Sequence, residues 1–367
     1  MTVKDIEEIM EQWAPRWIAW ERDNVGLQVG DRSAPVRRIL LCLDVTEEIV
    51  AEAASTKTDL VISHHPLLFR PASSITSSDP VGRMILKLAR HGIALYSAHT
   101  NLDFTRDGVS MVLAQTLGLQ NIHFLAPLKG LLAKIAVFAP GKSIQNVLDA
   151  MAKAGAGVIG NYSHCSFQID GQGTFLGLEK SNPAVGTKGK LESVGEVRLE
   201  MILPRANVPV VVAAMKSAHP YEEVAYDVYP VDNESVEFGM GAVGELKTPV
   251  ALKSFLAHIR KTLNAEGLRM SGNPATRVKT IAVCGGSGSD LIPQAIRVHA
   301  DAFVTADIRY HSFHDAGSLA LIDAGHWETE VPVLGVIRSR LAAACEDRRE
   351  TIHVSITKNK TSPIHFS

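Results

Sequence analysis

The first part of the chain alternates between continuous apolar runs and stretches with apolar residues at helical spacing. We predict strands at 38–44 (RILLCLD), 59–63 (DLVIS) and 93–97 (IALYS), separated by helices near 46–56 and 80–91. Apolar runs without alternation are typical of strands that helices cover on both faces. The pattern therefore predicts an α/β fold with helices on both faces of a sheet.

The pattern changes between about 127 and 245. The order there is strand, helix and strand, then a glycine-rich passage from Gly171 to Gly195, and again strand, helix and strand. Two such units in succession predict a small ferredoxin-like α+β module. A continuation of the first sheet is the alternative, but the glycine-rich passage and the polar segment 232–237 are typical of domain boundaries.

Strand and helix alternation returns after about residue 248 and ends with a predicted strand at 351–356 (TIHVSI). The simplest architecture is a discontinuous α/β domain formed by residues 1–126 and 246–367, in which residues 127–245 are an insert. The length of 367 residues also favours more than one domain, because domains typically contain about 100–200 residues.

Composition narrows the possible partners and the location. The chain has 37 basic and 39 acidic residues, so it lacks the basic excess that nucleic-acid binding usually requires. The sequence contains no apolar run long enough for a membrane span, and its start, MTVKDIEEIM, lacks a signal-peptide pattern. We therefore expect a cytoplasmic protein without a membrane or nucleic-acid partner. The four cysteines form no CxxC pair and are expected to be reduced and buried.

Histidines and carboxylates follow three of the predicted strands, in segments where an open α/β sheet places its ligand crevice. In chain order the segments contain His64, His65, His99, Asp103, His326 and Glu330. Structural roles are the alternatives at this stage. Asp103 suits a turn or helix cap, Glu330 suits the first turn of a helix, and the histidines suit loop hydrogen bonds.

With His99 set aside as a residue that could hold its loop by a hydrogen bond, the segments provide three histidines and two carboxylates and no thiolate. These five residues exceed the three protein ligands that one catalytic zinc ion commonly uses. Two divalent ions, bridged by a carboxylate, are the more economical interpretation. Imidazole combined with carboxylate suits zinc, manganese or iron better than calcium or magnesium. The pattern therefore indicates a site for two divalent transition-metal ions.

Two further segments have candidate chemistry. The turn Gly285–Gly288 follows a predicted strand and precedes a helix, so its amides could hold an anion, although a tight connection is the alternative. The segment 305–316 (TADIRYHSFHDA) contains Asp307, His311 and His314. These residues suit general acid/base work or the orientation of a metal ligand, whereas an aspartate-capped helix is the structural alternative.

Six motifs resemble those of one known family, the GTP cyclohydrolase 1 type 2 homologs, also called the Nif-three-like family. They are DNVGLQVG (23–30), ISHHPLLF (62–69), SAHTNLD (97–103), GGSG (285–288), TADIRYH (305–311) and GHWETE (325–330). The segment AHPYEEVAYDVYPVDN (218–233) also resembles the inserted module of the longer members, which is similar to CutA-like and PII-like domains. The motifs span nearly all of the predicted α/β part.

This resemblance implies a dinuclear metal site formed by His64, His65, Asp103, His326 and Glu330. It further implies that Glu330 contacts both ions and that the chain forms a toroidal homohexamer. Family membership alone does not define a substrate.

Two functions are consistent with such a site. The first is a metal-dependent hydrolase, in which metal-bound water attacks a C–N or phosphoester centre of a small nucleotide-like or phosphorylated metabolite. His311 or His99 would then transfer protons. The second is a metal-handling or regulatory binding protein, whose insert binds a small effector without turnover. In either case protons should compete with metal below a pH of about 6.5, the reference pKa of histidine.

Overall fold

A computed structural model describes residues 1–365 of the chain. The chain divides into two compact units, one formed by residues 1–127 together with the segment that begins at Val236, and the other by Leu128–Ser235. The strand Gly239–Ala251 pairs with two strands of the first unit. The insert therefore ends at 235 and not at 245, because the glycines of the segment GMGAVG hide a strand pattern from sequence reasoning.

The described residues form fifteen strands. In chain order they are β1 Gly26–Val29, β2 Arg38–Cys42, β3 Leu60–Ser63, β4 Ala94–Ser97, β5 Gln120–Pro127, β6 Leu132–Ala139, β7 Ser166–Leu176, β8 Leu191–Pro204, β9 Tyr226–Val231, β10 Gly239–Ala251, β11 Arg269–Met270, β12 Arg277–Ser287, β13 Ala302–Ala306, β14 Ala320–Asp323 and β15 His353–Ile356. They belong to three separate sheets.

Twelve α-helices accompany the strands in the same part of the chain. They are α1 Val3–Trp13, α2 Glu47–Ser55, α3 Pro80–Arg90, α4 Thr100–Asp103, α5 Val109–Thr116, α6 Ile144–Lys153, α7 Val208–Ala218, α8 Leu252–Thr262, α9 Ile292–Arg297, α10 Tyr310–Asp315, α11 His326–Glu330 and α12 Val333–Asp347. Within residues 1–365, no helix has the length and apolar character needed to cross a lipid bilayer.

The first sheet has the strand order β1-β4-β3-β2-β15. Strands β4, β3, β2 and β15 are parallel, and β1 is antiparallel to β4. Along β2, Ile39 and Leu41 pack with α1 and α12, whereas Leu40 and Cys42 pack with α2 and α3. Since successive strand residues point to opposite faces, both faces of the sheet are buried, as predicted.

The second sheet has the order β11-β14-β13-β12-β10-β5. Its central strands β12, β13 and β14 are parallel, and β11, β10 and β5 join as antiparallel neighbours. Helices α5 and α8 cover one face, and α9 and α10 cover the other. Helix α8 begins directly after β10, which continues to Ala251.

The third sheet lies within Leu128–Ser235 and has the antiparallel order β7-β8-β6-β9. The element order β6-α6-β7-β8-α7-β9 gives this sheet the ferredoxin-like topology that the sequence predicts. Its core is formed by one face of the sheet and the two helices. The predicted glycine-rich passage is shorter than expected, because β7 extends to Leu176 and β8 begins at Leu191.

Candidate metal centre

The candidate site lies at the carboxyl ends of parallel strands from the first and second sheets. β3 ends at Ser63, so His64 and His65 follow directly, while β14 is followed by α11, which begins at His326. The hydroxyls of Ser63 and Ser97 hydrogen-bond at 2.8 Å and join the ends of β3 and β4. This contact fixes the backbone from which the adjacent histidines project.

Five predicted ligands come together in this place. The Nε2 atom of His64 is 3.6 Å from Asp103 Oδ1 and 3.7 Å from Glu330 Oε1. Glu330 also lies 3.1 Å from His65 Nε2 through Oε2, and 3.1 Å from His326 Nε2 through Oε1. Because Glu330 contacts all three imidazoles, its carboxylate is the centre of the group.

Each histidine of the site has its Nδ1 atom held by a backbone or carboxylate oxygen. The bonds run from His64 to the Ala98 carbonyl (2.8 Å), from His65 to Asp44 (2.8 Å), from His326 to Asp307 (2.7 Å) and from His99 to Asp23 (3.0 Å). Metal-binding histidines commonly use their second nitrogen in this way, since the contact fixes both ring orientation and tautomer. The Nε2 atoms remain as the donor atoms.

Three buried polar atoms at the site form no hydrogen bond, namely His64 Nε2, Asp103 Oδ1 and Glu330 Oε2, the last of which has only its ion-pair contact with His65. His64 is fully buried, and Glu330 is 4% exposed. Leaving a buried polar atom unpaired costs about 1–3 kcal/mol, and more for a charged group. Coordination of a cation would satisfy all three atoms, so the residues present fit a metal ion.

The pKa values of the site residues also indicate that the buried carboxylates are stabilised by positive charge beside them. Burial opposes ionisation of Glu330, but the charge of His64 and the contacts with His326, His64 and His65 place its pKa well below the usual range. Burial likewise disfavours charged His65, yet Asp44 and Glu330 raise the pKa of its imidazole to about 10. The contacts of Glu330 and Asp307 raise the pKa of His326 to about 9 in the same manner. Protons and cations are therefore alternative ways to balance the buried carboxylates.

Two sets of donor atoms are close enough to hold a metal ion. One set is His64, His65 and His99, the other is His65, His326 and Glu330, and within each set the donor atoms lie within 4.8 Å of one another. Two His/Glu clusters could thus bind metal ions, and His65 belongs to both. Asp103 contacts His64 but belongs to neither set.

The two residues predicted to transfer protons lie in different surroundings. The ring centroid of His99 is 5.3 Å from that of His64 and 5.5 Å from that of His65, so His99 belongs to the cluster. His311 is exposed on α10 with its ring against Tyr310. No contact joins His311 to the histidine cluster in the part of the chain that the structure describes.

Sequence reasoning did not select Asp44 or Asp23, although both hold an imidazole. Asp44 follows β2 as His64 follows β3, so the strand-end rule was a usable signal. Burial opposes ionisation of Asp44, but the hydrogen bonds from His65 and Thr361 outweigh it and lower the pKa of this carboxyl. Asp23 lies in the DNVGLQVG motif, and its contacts with His99 and Thr100 lower its pKa to about 2 despite burial.

The backbone amides of the glycine-rich segment 285–288 form hydrogen bonds within the protein. The amides of Gly285, Gly286 and Gly288 donate to the hydroxyls of Ser110 (3.3 Å), Thr329 (3.0 Å) and Thr305 (2.9 Å). These donors are therefore already used inside the protein. The predicted turn is the end of β12, which continues to Ser287, and the use of these amides within the protein does not favour an anion cradle.

A thiolate is not among the donors. Burial, together with the negative charges of Asp103 and Glu330, raises the pKa of the Cys284 thiol to about 12. This side chain is consequently a neutral thiol in the metal-free protein, and the two donor sets among the described residues contain imidazoles and a carboxylate but no cysteine. Such a set suits zinc, manganese or iron.

An open cavity of about 520 Å³ adjoins the histidines. Its wall includes His65, His326, Trp327, Arg269, Asp307 and Ile364. Arg269 pairs with the buried carboxylate of Asp323 and lies over the ring of Phe313, so its guanidinium is fixed in the wall. The volume is within the range of small-molecule sites.

Fold and site together define a discontinuous α/β protein with a histidine- and carboxylate-rich candidate metal centre. The chain matches the Duf34/NIF3 (NGG1p interacting factor 3) family over residues 1–363 and belongs to it.

Related proteins match this chain over nearly its full length. A GTP cyclohydrolase 1 type 2 homolog of Bacillus subtilis is 40% identical, over 99% of this chain and 98% of the relative. The crystal structure of a Bacillus cereus protein related to NIF3 is 39% identical, with a TM-score of 0.84, and covers 100% of this chain and 99% of that one. The Staphylococcus aureus protein SA1388 is 30% identical with the same TM-score, over 100% of this chain and 99% of its own.

Proposed function

We propose that this protein is a metal-dependent hydrolase of a small metabolite, with two divalent transition-metal ions held by His64, His65, Asp103, His326 and Glu330. The observation that carries this proposal is the set of buried donor atoms without hydrogen-bond partners, together with an open cavity that the neighbouring His65 and His326 line. Buried polar atoms without a hydrogen-bond partner are rare in native proteins and need an explanation, such as a bound ion or a catalytic role. Because His65 and His326 line this cavity, the arrangement favours chemistry on a bound molecule over a closed structural metal site.

Divalent ions in this position would supply Lewis acidity and lower the pKa of a coordinated water from about 15.7 toward 7. The chain's own residues orient the reaction. Asp44 and Asp307 hold His65 and His326 by Nδ1, so that both Nε2 atoms face Glu330. The two carboxylate oxygens of Glu330 lie between the imidazoles, so this carboxylate can contribute to both donor clusters.

We assign proton transfer to His99 rather than to His311. The Nδ1 atom of His99 is fixed by Asp23 at 3.0 Å, so Nε2 is the atom that accepts a proton from water and returns it to the leaving group. Its ring lies 5.3 Å from that of His64. His311 has no comparable contact with the cluster among the described residues.

The cavity supports a nucleotide-like or phosphorylated substrate. Trp327 and Arg269 both line it. A planar aromatic surface suits a base, and a guanidinium suits a phosphate or carboxylate. The name of the relatives, GTP cyclohydrolase 1 type 2 homolog, is consistent with this class.

The test is a turnover screen with a library of nucleotides, phosphate esters and cyclic amides. Metal-loaded wild-type protein, chelator-treated protein and Glu330→Gln are compared, and the metal content of each sample is measured. We expect turnover only in the metal-loaded wild type. A fully loaded protein without turnover across the library would overturn the hydrolase proposal and favour the metal-handling or regulatory alternative.

A further inference from the structure

The segment that follows β15, residues 357–364, lies along the carboxyl end of β2 and beside α11; we call it the C-terminal strap. The Thr357 hydroxyl donates to Glu52 at 2.6 Å, and the Thr357 amide donates to the Leu41 carbonyl at 2.9 Å. The ammonium group of Lys360 is 3.4 Å from Glu328 and lies over the ring of Trp327. The strap is thus attached both to the first sheet and to the helix that begins with His326.

The hydrogen bonds of Thr361 have a defined direction. The indole Nε1 of Trp327 can only donate, and it lies 3.2 Å from Thr361 Oγ1. The hydroxyl has a single hydrogen, which is directed to Asp44 Oδ2 at 2.6 Å. Thr361 therefore accepts from Trp327 and donates to Asp44.

Asp44 transmits this arrangement to a predicted metal ligand. As an ionised carboxylate it can only accept hydrogen bonds, so the 2.8 Å contact between its Oδ1 and His65 Nδ1 requires the hydrogen on the imidazole. Nε2 is therefore the nitrogen through which His65 can coordinate a metal ion once the proton on that nitrogen has left. That atom faces Glu330 Oε2 at 3.1 Å.

We propose that Thr361 is a positioning residue of the metal centre, because its hydroxyl fixes Asp44 in the orientation that holds His65 ready for coordination. The strap supplies no donor atom of its own to either cluster within residues 1–365. Its contribution is to restrict the rotation of Asp44, and hence of the imidazole ring. This inference rests on the proposed metal site and is independent of the hydrolytic reaction.

The experiment compares Thr361→Val, which keeps the shape and removes the hydroxyl, with Thr361→Ser, which keeps the hydroxyl. Thr357→Val is the matched control, since Thr357 lies in the same strap and also donates to a carboxylate at 2.6 Å, but that carboxylate, Glu52, contacts no predicted ligand in the described structure. Affinity for Zn²⁺ and Co²⁺ is measured by chelator competition. The visible spectrum of the Co²⁺ protein reports the geometry of the site.

We expect Thr361→Val to weaken metal binding by about 5-fold or more and to change the Co²⁺ spectrum. This loss of affinity should be smaller than the ~10- to 100-fold loss typical of a variant at a direct partner of a ligand, such as Asp44. Thr361→Ser and Thr357→Val should stay within about 2-fold of the wild type, since neither loses a contact to Asp44. Equal effects of Thr361→Val and Thr357→Val, or an unchanged Thr361→Val, would overturn the proposal. If the wild type binds neither Zn²⁺ nor Co²⁺, the proposed metal site is wrong. That result differs from a failure of the role of Thr361, in which the wild type binds metal and Thr361→Val binds it equally well.

Discussion

Gly286 lies against the carboxylate of Glu330 so closely that a Cβ atom at this position would be 2.1 Å from Oε1. The same Cβ would be 3.0 Å from His326 Nε2, and the backbone has a φ of +61°. Both the space and the left-handed backbone therefore require glycine. The absence of a side chain at Gly286 is what allows Glu330 to lie among the imidazoles.

Gly286→Ala should consequently lose bound metal, because the new methyl group displaces the Glu330 carboxylate. Gly317→Ala is the matched control, since Gly317 has a φ of +59° but nothing within 4 Å of its Cβ position. Both variants carry the backbone cost of about 1–2 kcal/mol. Metal analysis and thermal unfolding measured on both proteins separate the two effects. Equal metal retention in both variants would contradict this account of Gly286.

Glu330→Ala should remove both ions, whereas His64→Ala should chiefly weaken one. Glu330 is 3.1 Å from His65 and His326 and 3.7 Å from His64, so its loss affects every imidazole of the group. Metal per chain is measured by elemental analysis. Glu7→Ala serves as the control, because Glu7 is a buried acid of α1 that belongs to neither donor set. Full occupancy in Glu330→Ala would show that its carboxylate is not shared.

Replacement of residues 129–234 by a short flexible linker should preserve metal content. The two ends of the insert are adjacent, since the Ser235 amide donates to the Leu128 carbonyl at 2.8 Å. All candidate donors lie outside the insert. Elemental analysis and circular dichroism check the result, and loss of metal from folded protein would contradict it.

The homohexamer stays a prediction, and the molar mass of the full and shortened proteins tests it.

Metal affinity should rise with pH up to about 9–10, and not only between 5 and 7 as the reference pKa of histidine suggests. Carboxylate contacts place the pKa of His65 at about 10 and that of His326 at about 9. Below these values protons occupy the imidazoles, and they must leave before coordination. Chelator-buffered titrations from pH 6 to 9.5 measure the dependence. An affinity that levels off near pH 7 would show that the carboxylates do not hold these protons.

The location of the candidate site could be predicted from sequence because its signals are local. His64 and His65 adjoin an apolar run that could only be a buried strand, and His326 follows a glycine at the end of another. In contrast, β5 and β10 were missed. β10 contains several glycines, and its pairing with β5 is a long-range contact that no local pattern reports. This explains the error in the end of the insert.

The residues that hold the imidazoles were harder to find. The position of Asp44 after a strand is a signal, but a single aspartate there suits a turn equally well until its partner is known. Thr361 has no local signal, since its importance depends on a contact with a residue far away in sequence. Sequence reasoning therefore finds clustered donor residues, whereas the groups that orient them require the folded structure.

The pairing of β15 with β2 has a consequence for biosynthesis. A ribosome releases His64 and His65 long before it has translated α11, β15 and the C-terminal strap. Until then β2 has an unpaired edge, and the nascent chain lacks both Glu330 and the hydroxyl that orients Asp44. The candidate metal centre is therefore complete only after translation of the C-terminal segment, and a chain interrupted by a premature stop codon before α11 would have an incomplete donor set and an exposed edge at β2 that can pair with other chains.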